Sequence, residues 1–344
     1  MNLFLVSAPP HIINALEAKW YFGLPTAATA LVVFHPVGPH GDFSPMLDPH
    51  DWGAVYHLKL LNWHHSPIQY LLGSKEFLRL LDDLASRFRH VEYLFVSLYE
   101  SDFMRHLVNS IRFERLVLLD DGNSVLKISR VRTALCGGTP GRISPRTQVA
   151  DFVKSVVIGY KLDHAPRLTY YTAYEFPVPS GDEVHINRYP RLRAEMNYVK
   201  DSEDTLFLGV PFVSDGLMDQ AMYLQYLSRA FASLQHNDIV YAPHRRESSE
   251  SVAAIMDKLS CRSLYPTVPI ESYLVRSPIR YLEIASFTSG ALLNLLRIFD
   301  ASVRLISFEV DVNDILVRRE WLPIREVYEY YKSLGCPSFE VRVL

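Results

Sequence analysis

Three short polar segments stand out, because each directly follows an apolar run of the kind that forms a buried strand. They are Asp120-Asp121-Gly122, His244-Arg245-Arg246 and Ser286-Phe287-Thr288-Ser289-Gly290. Ligands of open parallel sheets bind beyond the carboxyl ends of the strands. The three segments are therefore candidates for one ligand site, in which they would supply a base, a cationic loop and a hydroxyl-lined anion site.

The acidic pair is suited to general-base chemistry. Repulsion between adjacent carboxylates raises the pKa of one of them, and a raised pKa makes a better base. Gly122 permits a sharp turn at the strand end, so that Asp120 or Asp121 can project from the sheet. The alternative interpretation is an acidic turn that caps the next helix.

The histidine and arginines are suited to a phosphate group. Imidazolium and guanidinium groups bind phosphate oxygens through charge-assisted hydrogen bonds, and His244 could also pass a proton to a leaving phosphate. In the alternative interpretation the loop is solvated, and Arg246 pairs with Glu247 or Glu250.

The hydroxyl segment runs into a predicted helix that begins near Gly290. Hydroxyls such as those of Thr288 and Ser289, together with free backbone N–H groups at a helix N-terminus, form an anion site. An ordinary N-cap uses the same residue types. Glu271 also precedes a helical run, where it either accepts hydrogen bonds from ribose hydroxyls or favours the helix dipole.

Other polar groups are weaker candidates. Two adjacent histidines such as His64 and His65 point in different directions, and no partners for a metal site can be identified, so we interpret them as structural or surface residues. The spacing of Asp311 and Asp314 is better explained by a loop. The aromatic segment Tyr170 to Pro179 is interpreted as a hinge between domains.

Composition bounds the class of protein. The 344 residues predict two domains, and the 49% of hydrophobic residues predict large cores. A net charge of -3 gives no basic field for nucleic acid, and three widely spaced cysteines give no disulfide framework. No signal peptide and no apolar run of about 18 residues is found. We therefore expect a cytoplasmic protein, and peripheral contact with the membrane stays open.

The order of the apolar patterns predicts an α/β fold. A strand, a tight loop and a helix occupy residues 3–20, and strands alternate with helices in both halves of the chain, which is typical of parallel sheets of the Rossmann kind. The residues from Ser129 to Pro145 predict a long loop. The predicted domains are 1–180 and 181–322, with a final helix and tail over 323–344 near the domain junction.

The acidic motif, the later histidine motif and the still later Ser/Thr motif resemble bacterial sialyltransferases of the GT-B type. This group includes the lipooligosaccharide sialyltransferases of glycosyltransferase family 52 and the bacterial polysialyltransferases. Further similarity lies in the opening segment from Val6 to Ala18 and in Pro269-Ile270-Glu271. In one departure from the family pattern, Arg245 takes the place of a proline after the histidine.

The resemblance implies two Rossmann-like domains that face each other across a cleft, the GT-B fold. It also implies transfer of sialic acid from CMP-sialic acid to a glycan hydroxyl in bacterial lipooligosaccharide or capsule polysaccharide, with inversion and no required metal or cofactor. Asp121 matches the general base, His244 the residue that assists departure of the CMP phosphate, and Glu271 the acid near the ribose. Further donor-site residues are Gly209, Arg245, Ser286, Thr288 and Ser289, and those assigned to the substrate are Pro9, Asn14, Asp120 and Gly122.

Three alternatives stay open. The donor could be another CMP-activated nonulosonic acid, such as Kdo, pseudaminic acid or legionaminic acid. The protein could be a UDP-sugar transferase or a sugar-nucleotide epimerase of similar fold. It could also be a glycan-binding or assembly protein that does not catalyse transfer, although a pure binder needs no base. We expect acceptor recognition in the first domain, around residues 35–65.

Overall fold

A computed structural model describes residues 1–36, 43–60, 67–136, 145–234 and 238–344. The chain divides into two compact units, residues 1–187 and 188–344. Each unit is built on one parallel β-sheet, which confirms the predicted α/β class. His64 and His65 lie outside the described residues.

The first unit has a seven-stranded sheet of order β3-β2-β1-β4-β5-β6-β7, with all described pairs parallel. Its strands are β1 (Asn2–Val6), β2 (Thr29–His35), β3 (Ala54–Lys59), β4 (His90–Val96), β5 (Arg112–Leu119), β6 (Thr169–Thr172) and β7 (Glu183–Ile186). Its helices are α1 (Pro9–Tyr21), α2 (Pro67–Arg87), α3 (Asp102–Val108), α4 (Ser124–Cys136) and α5 (Pro145–Val157).

The centre of this sheet is buried on both faces, as a doubly wound sheet requires. Every residue of β1 and β2 is buried. Helix α1 starts only three residues after β1 ends, because Pro9 has a backbone angle already suited to the first helical position. This short connection places the first turn of α1 at the carboxyl edge of the sheet.

The second unit has a six-stranded sheet of order β10-β9-β8-β11-β12-β13, again parallel throughout its described pairs. Its strands are β8 (Lys200–Leu208), β9 (Ile239–Ala242), β10 (Arg262–Ser263), β11 (Ile279–Ser286), β12 (Arg304–Glu309) and β13 (Phe339–Val343). Its helices are α6 (Pro190–Arg193), α7 (Gln220–Ser233), α8 (Ser249–Leu259), α9 (Ile270–Arg276), α10 (Ala291–Phe299) and α11 (Trp321–Ser333).

The structure corrects the predicted boundaries. β7 pairs with β6, so the first unit runs to residue 187 rather than 180. Residues 323–344 form no separate tail, because β13 pairs with β12 and α11 packs its apolar face into the core of the second unit.

Two further local predictions were wrong. The predicted loop from Ser129 to Pro145 begins as helix, since α4 continues to Cys136, and α5 starts at Pro145. The predicted hinge begins as strand β6, where Tyr170 and Tyr171 are buried in the first unit. A segment this rich in aromatic residues packs into the core of the first unit instead.

Candidate functional site

In the first unit, the acidic motif meets the start of α1. His11 Nε2 lies 2.9 Å from Asp121 Oδ1. His11 is almost fully buried, whereas about a third of the Asp121 side chain is exposed. β1 precedes His11 and β5 precedes Asp121, so the pair spans the end of β4, which lies between those strands in the sheet. Asp121 therefore presents a fixed carboxylate at the carboxyl edge of this sheet.

The hydrogen bonds of His11 define its role. The backbone N–H of Ser7 donates to Nδ1 at 3.3 Å, so Nδ1 is an acceptor and Nε2–H donates to Asp121. Both ring nitrogens of His11 are thus engaged, and the imidazole holds the Asp121 side chain in place. The second oxygen of Asp121 lies 3.5 Å from Ser124 Oγ, at the start of α4.

Asp120 points the other way, into the interior. The amide of Ala173 donates to Asp120 Oδ2 at 2.7 Å. Burial raises the pKa of Asp120 to about 7, although hydrogen bonds from Thr172 and Ala173 lower it, and the charge of Asp121 adds a smaller increase. Burial is thus the main cause of the raised pKa, rather than the repulsion that the adjacent pair suggests. The raised pKa belongs to the buried partner, and the half-exposed Asp121 is the carboxylate that a substrate can reach.

The other residues assigned to the substrate support this turn. Asn14 Nδ2 donates to the carbonyl oxygen of Asp120 at 3.2 Å. Pro9 is buried at the first position of α1, and Gly122 has φ +58°, a left-handed backbone conformation that favours glycine. The structure therefore gives Pro9, Asn14, Asp120 and Gly122 roles in positioning Asp121.

In the second unit, three loops meet at one edge. β8 lies between β9 and β11, and the parallel strands end on the same side. Neighbouring strands are about 4.8 Å apart, so the loops after β9 and β11 start about 10 Å apart. The strand order reverses between β8 and β11, the position at which open α/β sheets bind ligands. Gly209, His244 and Thr288 follow these three strands.

A buried polar network supports the loop after β9. Tyr241 Oη donates to Glu247 Oε1 at 2.6 Å and lies 3.0 Å from Tyr223 Oη. The amide of His244 donates to Glu247 Oε2 at 2.6 Å, and the amide of Glu247 donates to the carbonyl of His244 at 2.8 Å. Burial raises the pKa of Glu247 to about 7, although these hydrogen bonds lower it. Glu247 therefore fixes the turn that carries His244.

Gly209 is required by this network. A Cβ at this position would meet Glu247 Oε2 and lie 2.5 Å from Tyr241 Oη. The structure thus assigns Gly209 a packing role beside the predicted role in donor binding.

His244 is arranged as a neutral hydrogen-bond donor. Burial, followed by the charges of Arg246 and Arg245, lowers the pKa of His244 to about 4, so the predicted imidazolium is disfavoured in the unliganded protein. The amide of Arg246 donates to Nδ1 at 3.2 Å, which leaves the proton on Nε2. Arg245 is exposed. Arg246 pairs with Asp215 at 2.9 Å, and with neither of the two glutamates suggested by the sequence.

The hydroxyl segment has two kinds of residue. Ser286 is fully buried and donates to the carbonyl of Leu208 at 2.7 Å, so its hydroxyl joins β11 to β8, and its contact with the donor stays a prediction. Thr288 and Ser289 are half-buried just before α10. The N-cap of α10 is Gly290, without a side-chain cap hydrogen bond, so the Ser/Thr N-cap alternative is wrong.

Glu271 lies in the first turn of α9 and is buried. Asn294 Nδ2, from α10, donates to Glu271 Oε1 at 2.8 Å. Burial raises the pKa of Glu271, although the bond from Asn294 lowers it. The carboxyl group thus couples α9 to the helix that follows the hydroxyl segment.

Sequence reasoning missed two residues of these sites. His11 stood in the opening motif, and the available signal was its position four residues after Ser7 at a strand–helix junction. Glu247 entered only the alternative interpretation of the loop, as one of two possible partners of Arg246. The sequence signal for Glu247 was weaker. Only Tyr241, six residues earlier at the end of an apolar run, indicates that Glu247 could turn inward.

In the part of the chain that the structure describes, no group of three or more His, Cys, Asp and Glu side chains could hold a metal ion. Within the same described ranges, no helix is both long and apolar enough to cross a bilayer.

No protein-family model and no curated protein matches this sequence. Among solved structures, the chain is similar to a protein described as a UDP-N-acetylglucosamine 2-epimerase from Listeria monocytogenes, with a TM-score of 0.52 and 10% identity over 98% of this chain and 91% of that chain. Weaker likeness is found to UGT89C1 of Arabidopsis thaliana complexed with UDP-L-rhamnose (TM-score 0.49, 9% identity, 99% and 85% covered) and to UDP-GlcNAc 2-epimerase from Neisseria meningitidis (0.48, 12%, 98% and 94%). At these identities the likeness shows the fold alone. The chain has the GT-B type of fold, built from two Rossmann-like α/β units.

Proposed function

We propose that this protein is an inverting glycosyltransferase that moves a sugar from a nucleotide donor to a hydroxyl group, with Asp121 as the general base. The observation that carries the proposal is the hydrogen bond from His11 to Asp121. It fixes the orientation of the carboxylate through Oδ1, and the proposal assigns Oδ2, which lies 3.5 Å from Ser124 Oγ, to accept the proton of the acceptor hydroxyl. A positioned base contributes about 10²–10⁴-fold to the rate.

The second unit supplies the donor half of the proposal. His244 offers an Nε2–H donor, and the first turn of α10 offers backbone N–H groups without a side-chain cap. Such groups bind a phosphate and stabilise the negative charge that develops on it as it leaves. The proposed reaction requires no metal, because these donors take over the stabilisation of the leaving group.

We further propose that the donor is CMP-sialic acid. The support is the sequence resemblance to bacterial sialyltransferases, together with a donor set of one imidazole and one helix N-terminus, which is suited to the single phosphate of CMP. In the same assignment Glu271 contacts the ribose through the oxygen that Asn294 does not use. The acceptor is then a hydroxyl of a surface glycan.

A binding screen followed by a transfer assay tests this proposal. Titration calorimetry with CMP, CDP, UMP and UDP is expected to show the tightest binding for CMP. Preference for UDP would instead favour a UDP-sugar transferase or an epimerase. Transfer is then measured with CMP-sialic acid and with the CMP derivatives of Kdo, pseudaminic acid and legionaminic acid. Binding of CMP without transfer or hydrolysis of any of these donors would identify a non-catalytic glycan-binding protein.

A further inference from the structure

Helix α5 presents its apolar side to solvent. Its exposed side chains recur at helical spacing of three and four residues and include Val149 (62% exposed), Phe152 (69%), Val153 (49%), Val156 (67%) and Val157 (46%). A helix on the surface of a globular unit normally turns such a stripe toward the core. We call these five residues the α5 apolar face.

The polar residues of α5 hold the helix in this orientation. Asp151 pairs with the buried Arg105 of α3 at 2.8 Å. Lys154 pairs with Asp102, also of α3, at 2.7 Å. Because these charges are directed at the protein, turning the apolar side inward would leave Arg105 without its carboxylate partner, which is costly for a buried charge. The exposed apolar side is therefore a stable feature of this unit.

The size of the α5 apolar face argues against a stable contact with a second copy of the chain. Five side chains on a helix about 20 Å long offer roughly 500 Å², below the roughly 800 Å² per partner of a stable protein interface. A face of this size matches the largest apolar patch of a typical monomer, and such patches are often functional.

The charge around α5 favours an anionic surface. The segment 145–167 carries four basic residues and two acidic ones, a net charge of four minus two, or +2, in a chain whose net charge is -3. Asp151 and Lys154 are both paired with α3, and without these two the segment still carries three basic residues and one acid, three minus one, or +2. Lys161, just after the helix, is exposed. Apolar side chains flanked by basic residues are the features by which a helix lies in the interface of an anionic membrane.

We propose that the α5 apolar face is a docking surface for an anionic lipid bilayer. The helix lies in the plane of the interface, with Phe152 and the four valines among the acyl chains and with the exposed Lys161 near the headgroups. The surface belongs to the first unit and is independent of the identity of the nucleotide donor. If the proposed function holds, the docking surface keeps the first unit at the membrane, where acceptors attached to lipid are found.

Flotation of the full chain with vesicles tests the proposal. Wild-type protein is expected to float with vesicles of phosphatidylcholine and phosphatidylglycerol, and weakly with phosphatidylcholine alone. The double variant Phe152→Ser/Val156→Ser is expected to lower the partition coefficient at least about tenfold, since it removes two large apolar groups from the interface. Circular dichroism and urea unfolding show whether that variant keeps its fold.

A matched control replaces two exposed apolar residues of the second unit, Val199→Ser/Leu316→Ser, and is expected to bind vesicles like the wild type. Equal binding by the α5 variant and the wild type would overturn the proposal, as would failure of the wild type to bind anionic vesicles. A concentration-dependent dimer that dissociates in the α5 variant, without vesicle binding, would show that a second copy covers this face.

Discussion

His11 Nε2 donates to Asp121 Oδ1 at 2.9 Å, although the two residues are separated by 110 positions in the sequence. The contact exists because β1 and β5 flank β4, so that the turn after each strand emerges at the same edge of the sheet. The buried imidazole is fixed by the amide of Ser7, and it in turn fixes the carboxylate. In the proposed function, Asp121 is the reacting group and His11 the group that positions it.

Replacing Asp121 with alanine is expected to lower the transfer rate about 10²–10⁴-fold, because a positioned base contributes that much. Affinity for CMP should be unchanged, since the residues assigned to the phosphate lie in the second unit. Initial rates of CMP release and calorimetry measure the two quantities. Asp163→Ala, which removes an exposed acid from the same unit, is the control and should keep both. Wild-type turnover by Asp121→Ala would rule out its role as base.

Substitutions of His11 test its role as a positioning residue. His11→Gln keeps an N–H donor for Asp121 and is expected to retain more activity than His11→Leu. The acidic limb of the pH–rate profile should move to higher pH in His11→Leu, because a hydrogen bond to an ionised carboxylate favours the ionised form. A purely structural role would lower the rates without moving that limb, and equal effects of both variants would argue against orientation of Asp121.

The affinity for CMP is expected to stay constant between pH 7 and about pH 8.5, because the lowered pKa of His244, about 4, keeps the imidazole neutral in that range. An imidazolium with the ordinary pKa of about 6.5 would still be partly charged at pH 7 and would lose that charge over this range, so the affinity would fall as the pH rises. His244→Ala should weaken CMP binding about 10–100-fold, the contribution of one hydrogen bond to a charged group. Arg246→Gln is the control, with a smaller effect, since Arg246 pairs with Asp215. Unchanged CMP affinity in His244→Ala would exclude the assignment.

The stability of the first unit should depend on the protonation of Asp120. Its folded pKa, about 7, lies above its ordinary value of 3.8, so its favourable contribution is complete below about pH 4 and is lost as the pH rises to about 7. Asp120→Asn keeps an acceptor for the amide of Ala173 and removes this titration. In urea unfolding, the free energy of unfolding of the variant relative to that of the wild type should therefore rise between pH 4 and pH 7, by on the order of 2 kcal/mol.

Two further variants test whether burial has the same effect on other carboxyl groups. Glu247→Gln is expected to behave in the same direction in the second unit, because burial raises its pKa to about 7 as well. Glu271→Gln should also change stability in the same direction, because burial raises the pKa of Glu271. A difference between Asp120→Asn and wild type that does not change with pH would show that Asp120 is ionised in the folded protein throughout this range.

Strands that are buried on both faces were predictable from the sequence. Loops inferred from a high content of glycine and proline were not. β1 and β2 are continuous apolar runs, which only a central strand can bury. The segment from Ser129 to Pro145 has the glycine and proline content of a loop, yet α4 extends to Cys136 within it. Local composition predicts turns well only where no tertiary contact stabilises a helix.

The sequence predicted the order of the candidate site residues along the chain, but it did not predict all of those residues. Asp121 and His244 follow strands, as the apolar runs before them indicate, and each lies at a carboxyl edge of its own sheet. Ser286 looked like part of the hydroxyl segment, but β11 runs one residue further than its apolar pattern shows and buries it. The alternation of side chains along a strand decides which hydroxyl faces the interior.

The amino-acid sequence by itself determined the α/β class, the alternation of strands and helices, and the succession of acidic, cationic and hydroxyl motifs, because these depend on residue types and local spacing. Only the tertiary structure decided that Asp120 is buried while Asp121 is accessible, that His11 and Glu247 hold the reactive loops, and that α5 turns its apolar side outward. Those outcomes depend on which strands become neighbours and on which charges find partners across the sheet. Neither is encoded in the spacing of nearby residues.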